Sequence, residues 1–297
     1  MPHLALTLEL TGLDPAVAEE TFFAAGALAV TLTDAADDAI LEPLPGEERL
    51  WPRTVLQALF DAAEARPALL IDLAGQLGVP PTQLTMKVVA DRAWEREWLK
   101  DFHAMRFGRR LWIVPHHEPP PADREAVVVR LDPGLAFGTG THPSTALCLQ
   151  WLDQGLEGGE TVIDYGCGSG VLAIAAARLG ARAVHCYDLD PQAAIATRDN
   201  AAANAVSDQI RIVEAPEALP RGANLLLANI ISGTLCELAP SFARLLEPGA
   251  MLVLAGILDE QADEVIATYS RWFHVAPWKG KDGWVLLSGR RTAGAAT

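Results

Sequence analysis

One nine-residue stretch constrains this chain more than any other: Val162-Ile163-Asp164-Tyr165-Gly166-Cys167-Gly168-Ser169-Gly170. An apolar, β-prone run ends in a turn with glycine at every second position, and an Ala- and Leu-rich helical stretch follows. Glycine tolerates left-handed backbone and lets a ligand come close to the main chain. The helix start behind it presents free N–H groups to an anion. A strand–turn–helix of this kind belongs to α/β sheets and implies a nucleotide-type ligand. The spacing is GxGxG with Val171 next, whereas the nicotinamide fingerprint needs glycines at 166, 168 and 171. A nicotinamide oxidoreductase therefore fits poorly, although it shares the fold.

The next apolar run ends Cys186-Tyr187-Asp188-Leu189-Asp190-Pro191. Asp188 stands 22 residues after Gly166, where a carboxylate at a strand end accepts both ribose hydroxyls of an adenosine. Asp190, directly before Pro191, reads as a helix N-cap. Strand-like and helix-like stretches alternate from residue 160 to about 271, and two closing strands are expected near 272–276 and 283–288. This alternation predicts a parallel, doubly wound sheet whose ligands lie at the carboxyl ends of the strands. Asn229 ends the apolar run 223–228 and so faces that side, where its side-chain oxygen can accept from an amine or a cofactor. Capping the following helix is the structural alternative.

Upstream, Asp132-Pro-Gly-Leu-Ala-Phe-Gly-Thr-Gly-Thr-His-Pro143 reads as a flexible loop over a pocket, with Pro143 opening a helix. Thr145 falls in the first turn of that helix, within reach of a ligand. His142 invites a general-base reading. No triad or metal spacing supports it, so a loop or capping role is expected, and no metal site is foreseen.

The first ninety residues follow the order β-α-β-β-α-β of a ferredoxin-like domain, with Asp14 capping a helix that begins at Pro15. They hold 13 acidic and 4 basic residues in a chain whose net charge is −15. So negative a surface repels phosphate backbones and favours a basic partner. Residues 91–101 read as a short charged helix with Trp94 and Trp98 on one face. Arg106, Arg109 and Arg110 follow on a strand or hairpin, and Pro119-Pro120-Pro121 marks a loop. The expected division is 1–90, a connecting segment 91–130, and 131–297. Four scattered cysteines without a CxxC exclude a disulfide framework or a zinc knuckle. No apolar run approaches the roughly 18 residues of a membrane span, and Met1-Pro2-His3-Leu4 lacks a secretory pattern. A cytoplasmic protein is expected.

Asp164 to Gly170 with Asp188 and Asn229 resembles the class I S-adenosylmethionine methyltransferases. Trp94-Glu-Arg-Glu-Trp98, Met105-Arg-Phe-Gly-Arg109 and the Asp132–Pro143 loop resemble, more closely and over nearly the whole chain, the ribosomal protein L-eleven methyltransferase family (PrmA). The resemblance implies a Rossmann-like seven-stranded methyltransferase domain preceded by a small α+β ferredoxin-like domain. It implies S-adenosylmethionine as cofactor, contacted by Thr145, Gly166, Asp188 and Asn229, with Asn229 also orienting the reacting groups. It implies trimethylation of lysine side chains and the N-terminal α-amine of the free large-subunit stalk protein. It further implies a substrate-recognising first domain on a hinge-like linker, no direct nucleic-acid or membrane partner, and a monomer. Two departures are local: Asn229-Ile230-Ile231-Ser232 stands where the family has Asn-Ile-Leu-Ala, and Tyr165 where it has Phe or Leu. The Asn229 segment lacks the double proline of enzymes that methylate planar amides and bases, which suits a tetrahedral amine. A methyltransferase of another protein or small amine, and a non-catalytic ribosome-assembly factor, are the other readings.

Overall fold

The computed structural model describes residues 3–36, 50–61, 67–89, 102–132 and 140–293. The expected helix with Trp94 and Trp98, most of the acidic loop 35–48 and loop residues 133–139 lie outside them. The chain forms two compact units, Met1–Trp94 and Glu95–Thr297.

In the first unit, β1 (His3–Glu9), α1 (Pro15–Ala24), β2 (Ala29–Asp34), β3 (Thr54–Asp61), α2 (Pro67–Leu77) and β4 (Leu84–Val89) follow one another. The antiparallel sheet order is β2-β3-β1-β4. Alternation drives this unit: Leu56, Ala58 and Phe60 of β3 all point inward, where they meet Leu4, Leu6, Leu8, Phe22 and Leu73. Asp14 starts α1 by accepting from the backbone N–H groups of Ala16 and Val17.

The second unit holds two sheets. Strands β5 (Met105–Phe107), β6 (Leu111–Val114) and β7 (Val127–Arg130) form a small sheet. Asp153, in α3 (Pro143–Gly155), accepts from the backbone N–H groups of Arg109, Arg110 and Leu111 and so holds the β5–β6 turn. Phe107, Leu111, Ile113 and Val129 pack in one core with Leu149 and Leu152 of α3. Residues 102–132 are thus integral to this unit's core.

The larger sheet comprises β8 (Thr161–Tyr165), β9 (Ala183–Tyr187), β10 (Ile210–Ile212), β11 (Ala223–Asn229), β12 (Leu246–Leu258), β13 (Phe273–Lys281) and β14 (Trp284–Arg291). Its order is β10-β9-β8-β11-β12-β14-β13. Helix α4 (Val171–Arg178) follows β8 and α5 (Pro191–Ala203) follows β9. Helix α6 (Ser232–Leu245) follows β11 and α7 (Ala262–Tyr269) follows β12. Both faces are covered: Val162, Val184 and Leu227 pack toward α3 and α4, while Ile163, Leu226 and Leu252 pack toward Phe242 of α6 and Tyr269 of α7.

The doubly wound parallel sheet is present as expected, and the two closing strands give it an antiparallel edge. Strands β8 to β12 are parallel, but β14 runs antiparallel to both β12 and β13. Asp282 (φ 51°) and Gly283 (φ 80°) are the whole β13–β14 connection. Two left-handed residues make the tight hairpin that suits strand twist, and a two-residue link has no room for a crossover helix.

Candidate active site

The site is built where β8, β9 and β11 end. After β8 the chain turns through Gly166 (φ 78°), Gly168 (φ 52°) and Gly170 (φ 77°), all in the left-handed region that other residues enter at a cost. A Cβ on Gly170 would stand 2.8 Å from the Thr197 hydroxyl oxygen, so the turn lies directly on α5. Two α5 side chains hold it there: the Thr197 hydroxyl donates to the Gly168 carbonyl at 3.1 Å, and the Asn200 amide donates to the Ser169 carbonyl at 2.9 Å. Neither residue stands out in the sequence; both lie one helix beyond the motif and become visible only when α5 is laid against the turn.

Gly170 opens α4 without a side chain to cap it. Asp164 does that work from β8, its Oδ2 accepting from the Ala173 backbone N–H at 3.0 Å. Asp164 is wholly buried, and its other oxygen, Oδ1, has no hydrogen-bond partner among the described residues. Burial, reinforced by the nearby Asp188 charge, pushes its carboxyl up to about 7, while the Ala173 bond pulls the other way.

Asp188 follows β9 and is half-buried. Its Oδ2 accepts from Gly168 N–H at 2.8 Å and its Oδ1 from Asp190 N–H at 2.9 Å, which fixes the carboxylate plane beside the glycine turn. Asp190 caps α5 through Gln192 N–H, as the Asp-Pro pair predicts. Asn229 is the last residue of β11, and its amide nitrogen donates to the Thr145 hydroxyl oxygen at 3.2 Å. The N-cap position of α6 belongs to Ile231, which makes no side-chain cap, so capping that helix is not the role of Asn229.

Thr145, Gly166, Asp188 and Asn229, separated by up to 84 residues, line one cleft of about 530 Å³. The cleft also takes in residues that sequence reasoning passed over. Tyr187 and Glu237 lie in its wall, and Leu189 and Ile231 are unusually exposed for their type, at 87% and 51%. For Leu189, an apolar residue between Asp188 and Asp190 at a strand end was the available signal. His142 is the N-cap of α3: Ser144 N–H donates to its Nδ1 at 3.3 Å, and its ring stands edge-on to Trp284 with centroids 4.7 Å apart. Burial lowers its affinity for a proton. Among the described residues no three metal-ligating side chains gather, and no helix is long and apolar enough to cross a membrane.

The arrangement offers a fixed carboxylate, a hydroxyl, an amide and a glycine turn at a helix start. That donor set suits a nucleoside bearing an amino-acid tail. Comparison with known proteins agrees with it. The family model described as ribosomal protein L11 methyltransferase (PrmA) matches residues 3–292. A ribosomal protein L11 methyltransferase of Alkalilimnicola ehrlichii is 49% identical over 294 residues, covering 98% of this chain and 99% of that one. Its counterpart in Pseudomonas aeruginosa is 48% identical over 99% of this chain and 100% of its own length. A solved structure titled ribosomal protein L11 methylase, from Lactobacillus delbrueckii subsp. bulgaricus, superposes with a TM-score of 0.60 at 29% identity, over 65% of this chain and 100% of that one. The cofactor is S-adenosylmethionine. With a small ferredoxin-like unit followed in sequence by a seven-stranded methyltransferase sheet, and this match over almost its entire length, the chain belongs to the ribosomal protein L11 methyltransferase family.

Proposed function

We propose that this methyltransferase modifies ribosomal protein L11, methylating lysine side chains and the N-terminal α-amine through to the trimethylated state. The relatives' names carry the choice of protein. The observation that carries the site is the convergence of Thr145, Gly166, Asp188 and Asn229 on one cleft. In this reading Asp188 takes the ribose hydroxyls, and the glycine turn at the head of α4 meets the cofactor's polar tail. Thr145 and Asn229 flank the reacting end.

When bound, the cofactor supplies a methyl group on a positively charged sulfonium and is left as a neutral thioether. The chain's part is position and protonation. Because the Asn229 nitrogen is engaged by Thr145, its oxygen is the atom it offers to an incoming amine. A lysine with pKa ~10.4 costs about 4–5 kcal/mol to deprotonate at pH 7, and an α-amine at ~7.7–8.0 about 1 kcal/mol. Tyr187, Leu189, Ile230 and Ile231 give the cleft an apolar lining, which disfavours the charged ammonium and lowers that cost. No histidine lines the cleft among the described residues; with Asp188 given to the ribose, water or the Glu237 carboxylate of the cleft wall takes the proton.

The first ninety residues are the substrate-recognition part in this reading, since their 13 acidic against 4 basic residues suit a basic protein. Of the connecting segment 91–130, residues 91–101 join it in sequence to the cofactor-binding part, whose core takes in residues 102–132. The net charge of −15 disfavours RNA as a direct partner. The enzyme acts as a cytoplasmic monomer on the free ribosomal protein.

Intact-mass spectrometry of purified L11 after incubation with the enzyme and S-adenosylmethionine tests this. A ladder of added methyl groups, absent with Asn229→Ala, is expected. An unchanged mass with the cofactor bound would overturn L11 as acceptor and point to another protein or a small amine.

A further inference from the structure

The mechanism leaves one buried ionisable group unused. Asp164 lies beneath the glycine turn with one oxygen on the Ala173 N–H and the other unpartnered among the described residues. It is not in the cleft wall, yet it lies directly behind it: Tyr165 and Gly166, the two residues that follow it, line the cleft, and the Asp188 carboxylate there raises its proton affinity. A charge entering the same cleft with opposite sign acts on Asp164 in the opposite sense.

We propose that Asp164 is the group through which the site reads the charge of its cofactor: its carboxyl gives up a proton to solvent when the sulfonium form binds, and recovers it when the neutral thioether is left. The buried carboxyl then favours the methyl donor over the spent product without touching either. Asp164 is a positioning residue in this scheme, for it acts through electrostatics and through the α4 start that it caps.

The neighbourhood makes the assignment specific. The ionisable groups facing Asp164 are Cys148 from α3, Cys186 from the neighbouring strand β9, and Asp188 beyond it. The Cys186 thiol is in turn hydrogen-bonded to the Cys167 thiol of the glycine turn, both cysteines being free. From α4 the facing group is the Ala173 N–H, and β11 places Leu227 in register beside Asp164. Burial raises the Cys148 thiol, and the hydrogen bond with Cys167 together with burial raises that of Cys186, so both stay neutral and contribute no proton. With Asp164 pushed up to about 7, a charge entering the cleft changes its protonation near neutral pH.

This rests on the assignment of the cleft to the cofactor, and calorimetry separates the two. S-adenosylmethionine and S-adenosylhomocysteine are titrated into the full-length enzyme at pH 7, in two buffers of different ionisation enthalpy. The pair shares the amino-acid tail and differs in the sulfonium charge. If the donor lowers the Asp164 pKa by about one unit, about 0.4 proton is released per donor bound, with less for the product. Donor affinity is then about fivefold higher at pH 8 than at pH 6. Asp164→Asn, whose amide oxygen still accepts from Ala173, abolishes both the extra release and the pH dependence of the donor-to-product affinity ratio. Equal proton release for the two ligands in the wild-type enzyme overturns the proposal without needing a variant. Equal release by wild type and Asp164→Asn does the same. Absence of binding by either ligand would overturn the cleft assignment along with it.

Discussion

The Asn229 amide nitrogen donates to the Thr145 hydroxyl oxygen at 3.2 Å, across 84 residues of chain. The bond ties the end of β11 to the first turn of α3, and Thr145 is almost wholly buried there. It decides which end of the Asn229 amide faces the cleft: the nitrogen is engaged, and the oxygen is presented. Thr145→Val keeps the shape and removes the acceptor.

Thr145→Val is therefore expected to weaken S-adenosylmethionine binding by about 0.5–1.5 kcal/mol, with Thr145→Ser close to wild type. In a double-mutant cycle with Asn229→Ala, the two losses should be non-additive by a similar amount. Calorimetric Kd values check this. Simple additivity would mean that the bond does not orient the amide.

Two glycines close on Ile230, the residue after Asn229, in different ways. A Cβ on Gly166 would overlap the Ile230 Cγ2 methyl, whereas one on Gly256 would overlap the Ile230 carbonyl oxygen and stand 2.9 Å from its carbon. Both glycines have positive φ, so either alanine costs about 1–2 kcal/mol from backbone strain before any clash. Ile230→Ala is expected to recover part of the stability lost in Gly166→Ala and none of that lost in Gly256→Ala. Urea unfolding midpoints of the four variants decide it.

Asp164 makes the cofactor-free enzyme less stable as pH rises from about 4 to about 7. Its folded-state carboxyl is pushed up to about 7, above the ordinary Asp value of 3.8. The folded protein thus keeps a proton that the unfolded chain has released, and this stability is present at low pH and lost as pH rises through 7. The loss is on the order of 4 kcal/mol at full ionisation. The Tm of Asp164→Asn relative to wild type should consequently be higher at pH 8 than at pH 5. A difference independent of pH would show that the carboxyl does not titrate there.

Asp153 organises the β5–β6 turn by accepting from three successive backbone N–H groups, at 3.2 Å for Arg110 and 3.1 Å for Leu111. Its side chain is fully buried, so those donors have no water to fall back on. Asp153→Asn, with one acceptor oxygen and no charge, is expected to lose about 1.5–3 kcal/mol of stability. Gly108→Ala, whose Cβ would run into the same carboxylate, should be at least as damaging. Chemical denaturation measures both, and an unchanged midpoint for Asp153→Asn would remove Asp153 from the turn's support.

Much of the molecule was legible from local pattern. Alternating apolar residues marked β1 and β3, and the Asp14-Pro15 and Asp190-Pro191 pairs marked two helix starts. The glycine spacing from 166 to 170 and the strand-end positions of Asp188 and Asn229 located the site's parts. These features are short-range, set by periods of 2 and 3.6 residues and by backbone sterics, so they survive in one dimension. The two closing strands near 272–276 and 283–288 were legible too, and the antiparallel edge they make has a local sign in Asp282-Gly283.

What no pattern carried is which distant groups meet. Thr197 and Asn200 on the glycine turn, the capping of α4 by Asp164 with one oxygen left unpartnered, and the Thr145–Asn229 bond depend on sheet order and helix placement. A buried aspartate and an exposed one are the same letter in a sequence. Local pattern was enough to set the elements, the glycine turn and the residue types available for chemistry. Their partners, burial and proton affinity came with folding, because those follow from low-dielectric packing among strands far apart in the chain.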